Sequence, residues 1–206
     1  MQGNYRVAVT APEAYAQAVV IQNNDGVLSL QRDKSIDQFP DEPISVNIWL
    51  PYLRELDLFH GAVAAVQGAS GSNIRLVLND QSRISLQGYV PVAEVDVAGD
   101  SMVDVSWVDT DHIQIIGRDN SEIHLAGAVR VLDARLYDNA VLDAKYLRSI
   151  TALVYTCENA MAQVIATYSL NAFATDFSNI YYYRTPEKLV DFSEKSGNVL
   201  QVAHWN

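Results

Sequence analysis

Asp104, His124 and Asp143 lie 20 and 19 residues apart in a chain of 206. If the backbone returns to the same place every coil, that spacing sets an imidazole between two carboxylates on one outward face. Flanking carboxylates favour the imidazolium, and the set could serve as an acid–base or metal face, as in β-helical enzymes acting on polysaccharide. Glycoside cleavage needs two carboxyls roughly 5–9.5 Å apart in a substrate cleft. Two strand spacings put Asp104 and Asp143 near the top of that range, but a flat sheet offers no cleft. The whole column, Ser85, Asp104, His124, Asp143 and Gln163, therefore reads first as a charge-balanced surface ladder. The sequence assigns no catalytic residue and describes a non-enzyme.

A second set could bind. Asp119-Asn120, Asp138-Asn139 and Glu158-Asn159 recur at the same step, after Asp80-Gln81 and Gly99-Asp100. Stacked amides can donate to one another along an axis, and Asn tolerates a left-handed corner. A structural ladder is the stronger reading of Asn120, Asn139 and Asn159. Beside them Asp80, Asp119, Asp138 and Glu158 form an acidic column that repels itself unless solvated or neutralised. Calcium, which takes about six to eight oxygen ligands, is the one ion such a column would suit. Calcium-binding β-roll repeats are shorter and glycine-dense, so a solvated acidic edge is preferred and no metal or cofactor is assigned.

The third set is aromatic: Tyr181, Tyr182, Tyr183 and Trp205 near the end, and Trp107 and Tyr146 within the repeats. Exposed aromatics make platforms for sugars or anchors for proteins. A repeat stack must also cover its last coil, so the terminal group reads as a cap. Alternation along Tyr181–Tyr183 sends some of these rings into the core.

Other chemistry is missing from the pattern. His60, His112 and His204 have no zinc spacing. Cys157 is the single cysteine, reads as a corner thiol and forms no internal disulfide. There is no phosphate loop and no serine-nucleophile elbow. The formal net charge is -11, which repels phosphate and argues against nucleic acid. No apolar run reaches the ~18 residues of a membrane helix. The opening MQGNYRVAV lacks a basic segment followed by an apolar one, so no signal peptide is expected in this chain, as in a mature or trimmed form.

What must position these residues is a repeat. Anchored on the small residue after each acid–amide pair, the coils fall at Ala62, Ser82, Ser101, Ser121, Ala140, Ala160 and Asn179, in steps of 19 or 20. Two and four positions past the anchors lie Ile84/Leu86, Val103/Val105, Ile123/Leu125, Leu142/Ala144 and Ala162/Val164. Before them stand Leu76/Leu78, Val95/Val97 and Ala134/Leu136, while the Ser121 coil offers Ile115 and a Gly117. A fixed period near 20 marks a solenoid, and alternation by two makes its units strands. Stacked parallel strands with right-handed crossovers give an all-β fold: a right-handed parallel β-helix, a β-solenoid of ~19–20 residues per coil. About six coils are expected. "LRELDLFHG" also fits a leucine-rich repeat, but later coils lose that pattern and have no helical return. Ahead of the coils, "RVAV", "AVVIQ", "VLSLQR" and "ISVNIWL" read as strands, with "NNDG" a hairpin turn.

"PISVNIWLPYLRELDLFHGAVAAVQG", the coils with small corner residues, and the closing "IYYYRTPEKLVDFSEKSGNVLQ" together resemble the GIN domain, the head domain of proteins classed as auto-transporter adhesins. The family's Gly before the closing Pro is here Thr185, and its Ser-Gly-Ala corner is mostly Asp-Asn-Ser or Asp-Asn-Ala. The resemblance implies an exported bacterial surface or periplasmic protein with no catalytic residues to carry over. The expected organisation is one domain over 1–206, with N-terminal strands and hairpin at 1–51, coils at 52–180 and a cap at 181–206. The expected function is extracytoplasmic binding or adhesion to a glycan, cell-surface or protein ligand. A polysaccharide-acting enzyme and a self-associating homo-oligomer are the alternatives.

Overall fold

The computed structural model describes residues 5–11, 15, 18–33, 44–69 and 71–202. His204 and Trp205 of the sequence reading lie outside them. The chain divides into two compact units, Met1–Pro51 and Tyr52–Asn206.

In the first unit β1 (Arg6–Thr10) pairs antiparallel with β4 (Ser45–Trp49), and β2 (Val19–Asn24) with β3 (Val27–Arg32). Asp25 and Gly26 join β2 to β3 with φ of 51° and 85°. Two consecutive positive φ values make the tight turn whose twist matches a hairpin, so "NNDG" does what its residue types demand.

The second unit is a parallel solenoid. One stack of rungs is β6 (Val63–Gln67), β8 (Arg83–Gln87), the opening parts of β10 (Met102–Gly117), β11 (Glu122–Leu136), β12 (Val141–Thr156) and β13 (Met161–Ala174), then β14 (Asn179–Tyr182) and β16 (Asn198–Gln201). The other is β5 (Glu55–Leu58), β7 (Ile74–Leu78), β9 (Val92–Val97), the closing parts of β10 to β13, and β15 (Lys188–Ser193). Among the described residues every pairing within this unit is parallel, and each stack has eight rungs rather than six.

The seventh coil was misplaced by one residue in the sequence reading, and the eighth was missed. Met161 is in register with Asn179, so the buried corner residue of the seventh coil is Ser178, a step of 18 from Ala160, and not Asn179. The same frame makes Gly197 the eighth corner. The boundary expected at 180 therefore moves: β14 crosses it, and β15 and β16 continue the stacks to Gln201. Tyr181 and Tyr182 belong to a rung rather than a terminal cap, and Tyr183 follows directly after it. Tyr182 points into the core, while Tyr181 and Tyr183 face outward and half-buried.

The core is the inward column of each stack. Ile84, Val103, Ile123, Leu142, Ala162 and Ile180 line one wall, and Leu76, Val95, Ile115, Ala134 and Val154 the other, all buried. Each large side chain removed from water contributes about 1.5–3 kcal/mol. The poor match at Gly117 has a packing cause. A Cβ there would meet Leu136 Cδ2 at 2.9 Å and Ala140 Cβ at 3.2 Å, so the Leu136 side chain already fills the space.

The second corner is made differently from the first. β10 to β13 do not break there; they bend, with register shifts between Val105 and Val108, His124 and Ala126, and Ala144 and Arg148. Bulges let a strand turn without leaving the ladder. Only the first corner carries a turn signal, so only it was visible as a repeated phrase.

Candidate functional site

At the first corner the left-handed conformation belongs to the residue two before each corner residue, joined in the first two coils by Gly61 and Gln81. His60, Asp80, Gly99, Asp119, Asp138, Glu158, Asp176 and Lys195 all have φ between 56° and 71°. Asn120, Asn139 and Asn159 do not, which corrects the expectation that Asn supplies it. Acidic residues occupy this seat because their carboxylates find donors there. Asp119 Oδ2 accepts the Gly99 N–H at 2.9 Å, Asp138 Oδ2 the Asp119 N–H at 3.1 Å, and Glu158 Oε2 the Asp138 N–H at 2.8 Å. The column ends in nitrogen partners: His60 Nδ1 lies 2.9 Å from Asp80 Oδ2, and Lys195 Nζ bonds Asp176 Oδ1. The Lys195 ammonium holds the Asp176 carboxyl below its ordinary value, and Asp176 raises Lys195 in return.

The amides form the expected ladder. Asn120 donates to Asp100 Oδ1 at 2.8 Å, Asn139 to Asn120 Oδ1 at 2.9 Å, and Asn159 to Asn139 Oδ1 at 3.2 Å. Phe177 breaks this column, and a second amide pair, Asn198 to Asn179 at 3.0 Å, takes over two positions along. Carboxylates and amides here turn to backbone and to each other. Among the described residues no group of three His, Cys, Asp or Glu is placed to hold a metal ion.

The Asp104–His124–Asp143 column is in register as spaced. Its side chains turn elsewhere, however. His124 Nε2 lies 3.7 Å from Glu122 Oε2 on its own strand, and Asp143 Oδ2 bonds Lys145 Nζ at 2.7 Å. Adjacency in the ladder does not assemble a proton relay, because neighbours along each strand compete for the same groups. The Cys157 thiol is half-buried, and burial followed by the nearby Glu158 pushes its pKa up, the opposite of what a nucleophile needs.

The groove with mixed chemistry lies on the outside of the second stack. Two outward columns run side by side there. One reads Glu55, Arg75, Glu94, Gln114, Asp133, Leu153, Asn171, Val190; the other Asp57, Val77, Asp96, Ile116, Arg135, Tyr155, Phe173, Phe192. Their first coils are ion-paired: Arg75 reaches Glu55 at 2.6 Å and Glu94 at 2.9 Å, and Arg118 reaches Asp96 at 2.6 Å. Their later coils turn aromatic and aliphatic. Tyr137 and Tyr155 have ring centroids 5.9 Å apart, and Phe173 and Phe192 6.0 Å.

Between the two regimes lies an open groove of about 370 Å³, lined by Asp133, Arg135, Tyr137, Leu153, Tyr155 and Phe173. At its edge Arg135 Nη2 donates to Asp133 Oδ2 at 3.3 Å, while Asp133 Oδ1 is shielded and has no hydrogen-bond partner. Leaving such an acceptor unmet costs about 1–3 kcal/mol. The sequence reading passed over this groove. Its signal is the position five before each corner, where Arg135, Tyr155, Phe173 and Phe192 fall once Ser178 and Gly197 are taken as corners.

The parallel solenoid thus carries continuous outward ladders and, on its second stack, an open aromatic groove. The chain belongs to the family described as putative auto-transporter adhesin, head GIN domain, whose model matches residues 2–186. No curated protein matches it. Among solved structures it is similar to a putative adhesin from Parabacteroides merdae, with TM-score 0.84 and 19% identity over 97% of this chain and 84% of that one. A putative adhesin from Parabacteroides distasonis gives TM-score 0.78 and 20% identity over 96% and 84%. A structure described as a putative lipid binding protein from the same species gives 0.70 and 16% over 97% and 85%. At these identities the likeness carries the fold alone.

Proposed function

We propose that the chain is a non-enzymatic binding or adhesion module that acts outside the cytoplasm, at the bacterial surface or in the periplasm, and holds its ligand on the outer face of the second stack. The observation that carries this reading is the groove of Asp133, Arg135, Tyr137, Leu153, Tyr155 and Phe173. Its aromatic walls and part-open shape suit recognition. The side chains that could have done acid–base work, His124 and Asp143, are turned to Glu122 and Lys145. The family's description supports both adhesion and an extracytoplasmic site.

The test is a panel of immobilised neutral polysaccharides, a sulfated polysaccharide, collagen, and phosphatidylcholine vesicles. Saturable binding to at least one surface is expected, weakened in the double variant Tyr155→Ala/Phe173→Ala, with no product released. Binding to none, or equal binding by a folded double variant, sinks the reading.

Self-association is the second reading, favoured by the last coil. Among the described residues β15 pairs only with β13 and β16 only with β14, and Leu189, Val190 and Leu200 are exposed. An open strand edge is a template for another chain. Sedimentation equilibrium decides it: a mass that stays monomeric at every concentration removes it.

A further inference from the structure

We propose that the groove on the second stack, taken as the ligand site argued above, binds a neutral glycan chain lying along the stack, with Tyr155 and Phe173 as the stacking surface and Asp133 with Arg135 as the hydroxyl-reading pair. Three observations lead there.

The first is the lining. Leu153, Tyr155 and Phe173 are apolar or aromatic, while Asp133 and Arg135 add polar groups and Tyr137 a further ring in the same groove. A ligand that suits both must itself have an apolar face and a polar rim. A pyranose ring has this form: C–H bonds on its faces and hydroxyls around its edge. A buried protein anchor prefers a closed, desolvated pocket, and this groove is open. A lipid tail would offer no donor to Asp133 Oδ1 and no acceptor to the remaining guanidinium N–H groups of Arg135.

The second is Asp133. Its Oδ2 is held by Arg135 and its Oδ1 has no donor. Rotation about the last side-chain bond of an aspartate is soft, so a small turn presents Oδ1 to the groove. A hydroxyl is a neutral donor that satisfies it without adding charge. The Arg135 guanidinium has further N–H donors beside the one given to Asp133 for a second hydroxyl oxygen. A carboxylate and a guanidinium in one site read adjacent hydroxyls as acceptor and donor together.

The third is the ladder with its charge. Tyr155, Phe173 and Phe192 stand on successive coils, about 4.8 Å apart. A sugar polymer also repeats one ring after another on a similar scale, so a chain along the stack meets a new aromatic ring at each coil. The chain's net charge of -11 repels sulfated or uronic polymers and anionic headgroups over long range. Between anionic and neutral polymers, the field favours the neutral one.

The experiment is titration of the folded chain with dextran, galactan and mannan, and with dextran sulfate as the anionic counterpart. Saturable binding to at least one neutral polymer is expected, stronger than to dextran sulfate. Tyr155→Ala and Phe173→Ala should each weaken it about tenfold, the size of one interface anchor, while Tyr155→Phe retains it. Asp133→Leu should lose affinity without losing thermal stability, because it removes an unpaired acceptor; a merely structural Asp133 would show the reverse. Circular dichroism checks that each variant folds. Binding only to collagen or to phosphatidylcholine vesicles overturns the glycan and leaves the binding reading standing. Tighter binding to dextran sulfate overturns neutral selectivity. Neutral-polymer binding that the groove variants do not weaken overturns the site, and binding to nothing overturns both proposals.

Discussion

Asp138 Oδ2 accepts the backbone N–H of Asp119 at 3.1 Å, although both residues carry carboxylates and both sit in the left-handed corner with φ of 58°. The charge that would push the two coils apart is turned to face a backbone donor. A carboxylate bound in this way bridges coils, and this explains a column of acids at one strand spacing.

The first prediction follows from that bond. Asp138→Asn keeps an acceptor and tolerates positive φ, so its loss of stability should stay below about 1 kcal/mol. Asp138→Ala loses the bond and forces a Cβ-bearing residue without local support into the left-handed region, and should cost about 2–3 kcal/mol. Asp138→Gly should fall between, since only the hydrogen bond is lost. Urea unfolding of the three variants checks the order, and equal losses for Asn and Ala would refute it.

The second concerns calcium. The corner carboxylates are met by N–H groups, by His60 and by Lys195. A ligand specific for the folded state must raise its melting temperature. Neither millimolar calcium nor excess chelator should move the melting curve. A rise of several degrees with calcium, reversed by chelator, would show an oxygen cage that the corner geometry does not supply.

The third is Gly117→Val. Elsewhere in the stack this inward slot holds Val97 and Leu136, so a valine looks harmless from the sequence. In the structure Leu136 Cδ2 and Ser121 Oγ stand 2.9 and 3.2 Å from where the new Cβ would go. Overpacking of this kind costs about 1–3 kcal/mol. Adding Leu136→Ala should recover part of the loss, a non-additive pair measurable by a double-mutant cycle.

That example shows what the sequence could carry. Period and alternation revealed the inward columns flanking the first corner, because burial selects residue types directly: Ile123 and Leu142 are apolar where the wall needs them. The buried column of Ile113, Leu132, Ala152 and Leu170 went unread. The corner was visible as a phrase, but its left-handed seat was misassigned to Asn, since Asp with a backbone donor takes that seat as readily. The seventh coil is one residue shorter, so anchoring on Asn179 instead of Ser178 shifted everything after it and hid β15 and β16. The Asp104–His124–Asp143 register was legible; the side-chain directions were not, because Lys145 and Glu122 compete from the same strands. The groove was illegible for a similar reason. Tyr155 looks like an ordinary strand residue, and Phe173 falls into line with it and Arg135 only once Ser178 replaces Asn179 as the corner.

The last prediction concerns pH and the end of the acidic column. Lys195 holds Asp176 below its ordinary 3.8, and Asp176 holds Lys195 above its ordinary 10.5. For Asp176 the folded value is the lower one, so its contribution is complete above 3.8 and disappears as pH falls through the depressed folded value. For Lys195 the folded value is the higher one. Its contribution is complete below 10.5 and disappears as pH rises through the raised folded value. The wild type should therefore exceed Asp176→Asn in stability by a constant margin across neutral pH, with the two curves converging at both extremes. Because the pair lies at the surface, the margin is small and shrinks with added salt. Thermal melts of both proteins across pH, at low and high ionic strength, read this directly. A margin that persists in strong acid would show that Asp176 stabilises the corner through its backbone seat and not through Lys195.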